Sequence, residues 1–210
     1  MLRTSTIFSL LLATVVAARA EIDLTPSTSE YTAEGIKYQQ LIFHQDKQHI
    51  EYEPPRGWRF EGSPQQLHLK PPQKNFADAV IQAIPLPAPQ PLGEKVSKAL
   101  EQQFITSLPL GSQFAKVEQE MDNPIPLNGN HSFEVTVSYQ LMGEKFLRSA
   151  IFVNLPDTQL VFRFTARKDD FEPLHREFRT SISSWHWVES GRSGDQVAAS
   201  APAQQVSQSP

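Results

Sequence analysis

Apolar and polar side chains alternate strictly through Ser132–Met142, and this pattern constrains the fold more than any other feature of the chain. Apolar side chains at every second position point to one side of an extended backbone. The segment is therefore predicted to be a strand that is buried on one face only. A turn signal at Gly143 follows, and then two further apolar segments, Phe146–Asn154 and residues 160–164. Together the three segments predict an antiparallel meander.

Two segments show the apolar spacing of an amphipathic helix. Between Gly93 and Leu108, large apolar side chains recur at every fourth position until Pro109 ends the pattern. The second segment begins at Asp169-Asp170, where acidic side chains suit the free N–H groups of a helix start, and its apolar stripe extends to Trp185. The sequence therefore predicts one helix before the meander and one after it.

The strands and helices together predict an α+β fold. Residues 36–44 and 49–53 have the pattern of a hairpin, and residues 77–84 are apolar on both faces, as is typical of a central strand covered on each side. A sheet with two covered faces needs a packing layer on each of them. We therefore predict a three-layer α/β/α sandwich with a central, mainly antiparallel sheet and one helix on each face.

The first twenty residues have the pattern of a secretory signal peptide. Arg3 precedes an uncharged apolar run at residues 7–17, and Ala18-Arg19-Ala20 has the small-x-small form of a cleavage site. The run of about 11 residues is shorter than the roughly 20 apolar residues that span a bilayer. We expect an exported protein, periplasmic or secreted, with no membrane span after cleavage; an uncleaved membrane anchor is the alternative.

The remainder of the chain is predicted to hold one folded domain. Residues 21–35 lack an apolar period and are expected to form a flexible N-terminal segment. Residues 36–188 contain all three tryptophans and are predicted to be a single domain. Residues 189–210 are rich in Ser, Ala, Gln and Pro, and we expect them to be a disordered tail.

Charge and cysteine content argue against several kinds of function. The chain has 19 basic and 23 acidic residues, a net charge of -4, and no block of like charges, which argues against a nucleic-acid partner. It has no cysteine, so disulfides, thiol nucleophiles and thiolate metal sites are excluded. It also lacks the G-x-S-x-G and glycine-rich phosphate-binding motifs, and no cofactor is predicted.

Three short segments carry a resemblance to a known family. They are YEPPRGW at residues 52–58, ADAVI at residues 77–81, and the end of the meander at Thr165-Ala166 before the acidic helix start. In this order they resemble the PsbP-like family, which includes the thylakoid-lumen PsbP proteins, the Ran-binding Mog nuclear import factors and exported bacterial proteins. The resemblance covers about residues 35–188 and implies the same sandwich fold. Because members of the family act mainly by binding, it also implies a non-catalytic role.

Three residues are candidates for contacts with a ligand or a partner. Trp58 follows a rigid Pro-Pro pair and opens a strand, so it is predicted to be either an anchor of the core or, together with Arg56, part of a recognition surface. Trp187 is the third candidate, because Trp185 continues the helical stripe into the core and leaves Trp187 as the more exposed of the two.

Metal and acid–base chemistry have scattered candidates. His44 and His49 flank four residues of a predicted hairpin and would face each other, but two imidazoles do not complete a zinc or copper site. Glu118 and Glu120 lie one residue apart on a predicted strand and are expected on the same face, toward solvent.

Two functions follow from these candidates. The first is an exported, non-catalytic binding or accessory protein of the cell envelope, whose partner is an envelope or secreted protein or a small ligand. The alternative is a metal-assisted or carboxylate hydrolase whose site is assembled from dispersed residues, among them His44, His49 and Glu118.

Overall fold

The computed structural model of the chain describes residues 22–45 and 48–189. The predicted signal peptide at residues 1–20, and all of the predicted tail except Glu189, lie outside the described residues. The described elements are, in chain order, β1 (Asp23–Ala33), β2 (Ile36–Gln45), β3 (Gln48–Tyr52), β4 (Arg59–Ser63), β5 (Gln66–Lys70), β6 (Asp78–Pro85), α1 (Glu94–Thr106), β7 (Gln113–Asp122), β8 (Ser132–Leu141), β9 (Glu144–Asn154), β10 (Thr158–Arg167), α2 (Lys168–Ile182) and β11 (His186–Glu189).

A seven-stranded antiparallel sheet, in the order β4-β5-β6-β10-β9-β8-β7, forms the centre of the molecule. The predicted meander is present as β8, β9 and β10, with Tyr139 opposite Phe146 and Ile151 opposite Phe162. The predicted central strand is β6, which pairs with β10 on one side and β5 on the other. The α+β class with a mainly antiparallel sheet is therefore confirmed.

The two helices pack on opposite faces of this sheet. Strand β10 shows the division, because Phe162 and Phe164 join the apolar cluster beneath α2 whereas Val161 joins the cluster beneath α1. Each helix buries a narrow stripe, Leu100 and Phe104 from α1 among them. Neither of the two helices in the described ranges is long and apolar enough to cross a membrane.

The cover provided by α2 corrects the prediction that residues 132–142 form a strand buried on one face only. Glu134 and Thr136 occupy the polar positions of β8, and both are buried, with Glu134 only 2% exposed. Alternation reports that the two faces differ in polarity, but it does not report whether a helix lies over the polar face.

A second sheet, in the order β1-β2-β3-β11, packs on the same side as α2. Its inward side chains join the main apolar cluster; they are Leu24, Leu41, Phe43, Ile50 and Tyr52. The predicted hairpin is its centre, with β2 paired to β3. One face of the central sheet is thus covered by a helix and a small sheet together. The predicted three-layer sandwich did not include this small sheet.

The prediction that residues 21–35 are flexible is wrong for the described part of that segment. Strand β1 pairs with β2 from Ser27 opposite Ile42 to Ala33 opposite Ile36, and Leu24 is fully buried. Most side chains of β1 are exposed, so the strand is held by backbone hydrogen bonds, which leave no apolar period in the sequence. The absence of a side chain at Gly62 lets β1 lie close to β4, because a Cβ at Gly62 would be only 2.3 Å from Cδ of Pro26.

The C-terminal end of the domain also differs from the prediction. Helix α2 ends at Ile182, so Trp185 is not part of its stripe. Trp185 is nevertheless in the core, where its ring stacks on Phe43 with centroids 5.4 Å apart. The chain then continues into β11, a strand that pairs with β3. Trp185 continues the apolar spacing of α2 by chance beyond Ile182, so the sequence did not show where the helix ends.

Candidate functional site

A groove of about 810 Å³ lies between the Pro54–Trp58 segment, α2 and β2. Its rim on one side is a tight turn in which the Trp58 N–H donates to the Pro55 carbonyl at 3.1 Å. Gly57 takes φ of 80° in this turn, a conformation that side chains with a Cβ rarely adopt. The turn therefore places Arg56 at its exposed tip, beside the groove.

Trp58 forms an inner wall of the groove and is also an anchor of the core. Its ring stacks on Phe178 of α2, with centroids 6.4 Å apart and planes 12° from parallel, and lies against Phe164. The indole N–H donates to Oε2 of Glu177 at 3.1 Å. Trp58 is 5% exposed, so what it offers a ligand is an apolar edge in a fixed orientation.

The charges around the groove are unevenly paired. Glu177 accepts the Trp58 hydrogen bond, and Glu53 accepts one from the Tyr31 hydroxyl at 2.6 Å. This bond with Glu53 raises the pKa of Tyr31 to about 12. In contrast, the basic lining residues form no ion pair with any carboxylate of the described residues; they are Lys37, Arg56 and Arg176. The lining thus has three basic side chains and two carboxylates, and this excess of positive charge favours an anionic group beside an apolar one.

The structure brings two of the three predicted contact residues together. Arg56 and Trp58 both line the groove, whereas Trp187 does not. Trp187 lies on β11, where its indole N–H donates to Oε1 of Gln45 at 2.9 Å and its ring meets Trp185 edge-on. Its half-buried ring thus closes the end of the small sheet.

The sequence did not reveal the part of the groove that α2 contributes. Arg176, Glu177 and Thr180 come from one face of that helix. Their spacing of one and three residues is the ordinary polar face of an amphipathic helix, and nothing in it distinguishes a ligand-facing side from a solvent-facing one. The Pro-Pro-Arg-Gly-Trp segment was the only signal that could locate this groove.

The two histidines proposed as metal ligands are register partners across β2 and β3. Nε2 of His49 lies 3.2 Å from Oε1 of Glu51, and Nε2 of His186 lies 2.9 Å from Oε2 of the same carboxylate. His44 is exposed beside them. Within the described residues, no group of three or more His, Asp or Glu side chains is placed to hold a metal ion.

Glu118 and Glu120 lie on opposite faces of β7, which corrects the expectation that they share one. The register with β8 shifts between Val117 and Gln119, so the alternation of side chains is interrupted at Glu118. Glu118 accepts a hydrogen bond from Ser138 at 2.7 Å, on the side of Lys168. Glu120 faces α1 on the other side. A bulge of this kind leaves no mark in the spacing of apolar residues.

The hydrolase candidates are likewise not assembled. His44 and His49 belong to the small sheet, whereas Glu118 lies on β7, an edge strand of the central sheet. Sequence position alone did not separate them, because strand order depends on pairings that the residues do not encode locally.

A buried polar cluster beneath α2 was missed. Oε1 of Glu134 lies 3.3 Å from Nε2 of His175, and Oε2 lies 3.3 Å from Nη2 of Arg179. The Ser149 hydroxyl is 2.9 Å from that same Nε2 of His175. A nucleophile relay needs the serine and the carboxylate on different ring nitrogens, and Ser149 is only 1% exposed. The cluster therefore ties α2 to the sheet and is not arranged for nucleophilic attack.

Comparison with solved structures finds chains of similar fold. The cyanobacterial PsbP (CyanoP) of Synechocystis sp. PCC 6803 is 14% identical, with a TM-score of 0.49 over 84% of this chain and 98% of that one. LpqN of Mycobacterium tuberculosis, which is involved in cell envelope biogenesis, is 15% identical, with a TM-score of 0.45 over 78% of this chain and 90% of that one. PA94 of Pseudomonas aeruginosa, a protein of unknown function, is 16% identical, with a TM-score of 0.46 over 74% and 94%.

A PsbP structure is thus among the solved structures that the comparison finds. No family model matches the chain, and no curated protein matches it in sequence.

Proposed function

We propose that the chain is an exported accessory protein, periplasmic or secreted, that binds a small amphiphilic anion without transforming it. The observation that carries this proposal is the groove beside Trp58, where three unpaired basic side chains stand next to an apolar wall. Export is supported by the signal-peptide pattern of residues 1–20.

The groove suits a ligand with two unlike ends. Arg56 and Arg176 present guanidinium groups, which bind carboxylates, sulfonates and phosphates through paired N–H donors. Pro54, Pro55 and the edge of Trp58 offer apolar surface next to them. A volume of about 810 Å³ is within the range of small-molecule sites. The ligand class is therefore an anion that carries an aromatic or aliphatic body.

The binding of 8-anilinonaphthalene-1-sulfonate tests the proposal, because this fluorescent probe joins a sulfonate to an aromatic body. We expect the double variant Arg56→Ala/Arg176→Ala to bind it at least about tenfold more weakly, since charge-assisted hydrogen bonds contribute about 1.5–3 kcal/mol. Raising the salt concentration should weaken binding to the wild type more than to the variant.

Arg59→Ala is the matched control, because Arg59 is an exposed arginine on β4 that does not line the groove. It should bind the probe as the wild type does. Equal affinity of the wild type and the double arginine variant would contradict the proposal.

A further inference from the structure

Three large apolar side chains stand almost fully exposed at one end of the central sheet. Leu110 is 102% exposed, Met142 96% and Phe114 79%. Leu110 is in the turn between α1 and β7, Phe114 is at the start of β7, and Met142 is in the turn between β8 and β9. The register pair Gln113–Gln140 brings these segments together. They form what we call the apolar tip, defined by Leu110, Phe114 and Met142.

Two of the three residues have backbone dihedral angles that residues other than glycine rarely adopt. Phe114 has φ of 53° and Met142 has φ of 52°. Met142-Gly143 is a two-residue hairpin turn with both φ values positive, the type that favours Asn-Gly. Methionine is not a residue that this turn favours, and its side chain, 96% exposed, does not pack against the described residues to offset the cost. An exposed apolar side chain on a strained backbone does not stabilise the fold. This combination indicates a role in binding.

Lysines flank the apolar tip. Phe114, Lys116, Lys145 and Lys168 line one groove of about 600 Å³. Lys116 is paired with Glu118 at 2.9 Å. Lys145 and Lys168 are exposed, and neither forms an ion pair within the described part of the chain. The apolar tip thus lies next to two exposed lysines, Lys145 and Lys168, whose charge is not balanced by an ion pair among the described residues.

We propose that the apolar tip inserts into the interface of an anionic lipid bilayer, with Lys145 and Lys168 on the headgroup phosphates. The three side chains protrude from the α1–β7 turn, the start of β7 and the β8–β9 turn, which fits a soft, penetrable surface. A protein partner would instead need a pocket for each protrusion. Moving apolar side chains of this size from water into the boundary between headgroups and acyl chains lowers the free energy of binding. Each lysine near an anionic surface adds electrostatic attraction. The proposal does not depend on the groove beside Trp58.

Flotation with lipid vesicles tests the proposal on the full chain. We expect binding to vesicles of phosphatidylcholine mixed with phosphatidylglycerol, and at least about tenfold weaker binding to phosphatidylcholine alone. The triple variant Leu110→Ser/Phe114→Ser/Met142→Asn should lose about 100-fold or more in affinity for the mixed vesicles. Lys145→Ala/Lys168→Ala should lose most of the preference for the anionic lipid. Ile36→Ser, which changes an exposed apolar side chain of the small sheet, should leave binding unchanged.

Met142→Asn alone separates a lipid contact from a structural role. Asparagine is favoured at this position of the turn, so the variant should unfold at the same or a higher temperature while binding the mixed vesicles about tenfold more weakly. Unchanged vesicle binding by the triple variant would overturn the proposal. So would loss of self-association in that variant, measured by sedimentation, because the tip would then be an interface between copies of this chain.

Discussion

The indole N–H of Trp58 donates a hydrogen bond to Oε2 of Glu177, and this bond joins the Pro-Pro-Arg-Gly-Trp segment to α2 at 3.1 Å. Both partners line the groove, so the bond connects two of its walls where they meet. It also engages Oε2 of Glu177, one of the two carboxylates that line the groove. One contact thus connects two walls of the groove and orients one of its carboxylates.

Trp58→Ala is expected to lower the free energy of unfolding by about 3–5 kcal/mol, as for other buried aromatic side chains truncated to alanine. The loss follows from the contacts with Phe164 and Phe178. Urea denaturation followed by circular dichroism measures it. Arg56→Ala, two residues away and exposed, should stay within about 0.5 kcal/mol of the wild type. A fully stable Trp58→Ala would mean that the indole serves recognition and not the core.

Gly62→Ala is expected to destabilise the fold by about 1–3 kcal/mol or more, because the added Cβ overpacks a filled site. That Cβ would lie 2.5 Å from the carbonyl oxygen of Leu24, which is backbone and has little freedom to move. Gly93→Ala is the control, since nothing lies within 4 Å of a Cβ there. Thermal unfolding distinguishes the two variants. Equal melting temperatures would contradict the packing of β1 against β4.

Glu134→Ala is expected to cost about 2–3 kcal/mol, because it leaves His175 and Arg179 beneath α2 without their carboxylate. Loss of one partner from a fully buried ion pair costs about 3–5 kcal/mol, and partial exposure of Arg179 reduces this figure. The measurement is chemical denaturation. The control is Glu172→Ala, which removes an exposed carboxylate from α2 and should change the free energy of unfolding by less than about 0.5 kcal/mol.

The contact between α1 and β7 should make stability depend on pH through Glu120. Hydrogen bonding with Glu101 raises the pKa of Glu120, and burial raises it further. Lys98 and then Glu120 lower the pKa of Glu101 by hydrogen bonding. A raised pKa means that Glu120 stabilises the fold while protonated, below its unfolded pKa, and that this contribution is lost as pH rises through the folded value. Glu101 behaves oppositely: its contribution is lost as pH falls through its lowered pKa.

Glu120→Gln is therefore expected to raise the free energy of unfolding at about pH 7, with a gain that shrinks toward about pH 4 as Glu120 itself takes up a proton. Denaturation curves at several pH values measure the gain. Glu118→Gln on the same strand is the control. Hydrogen bonds from Ser138 and Lys116 lower the pKa of Glu118, so its substitution should not stabilise at neutral pH. A pH-independent effect of Glu120→Gln would contradict the raised pKa of Glu120.

The sequence was informative wherever a single element carries its own period. The meander, α1 and the start of α2 were predicted because alternation and helical spacing record which side of one element faces the core. The hairpin of β2 and β3 followed for the same reason, including the pairing of His44 with His49.

Features that depend on backbone pairing, or on what lies opposite a residue in the fold, were not predicted. Strand β1 is held by backbone bonds to β2, and β11 by bonds to β3, so neither needs an apolar pattern. The bulge at Glu118 and the burial of Glu134 arise from what lies opposite each residue. Of the candidate site, the sequence identified the half that is local, Arg56 and Trp58. The half contributed by α2 depends on how the helix crosses the sheet.

The place of β3 between β2 and β11 has a kinetic consequence. Its second neighbour begins only at His186, so one edge of β3 stays open while the whole central sheet and α2 are synthesised. Contacts that close such long loops form slowly, and an open strand edge pairs readily with other chains in the meantime. A growing chain keeps this edge open until His186 is made, so a chaperone that shields strand edges would act on β3 during that whole interval.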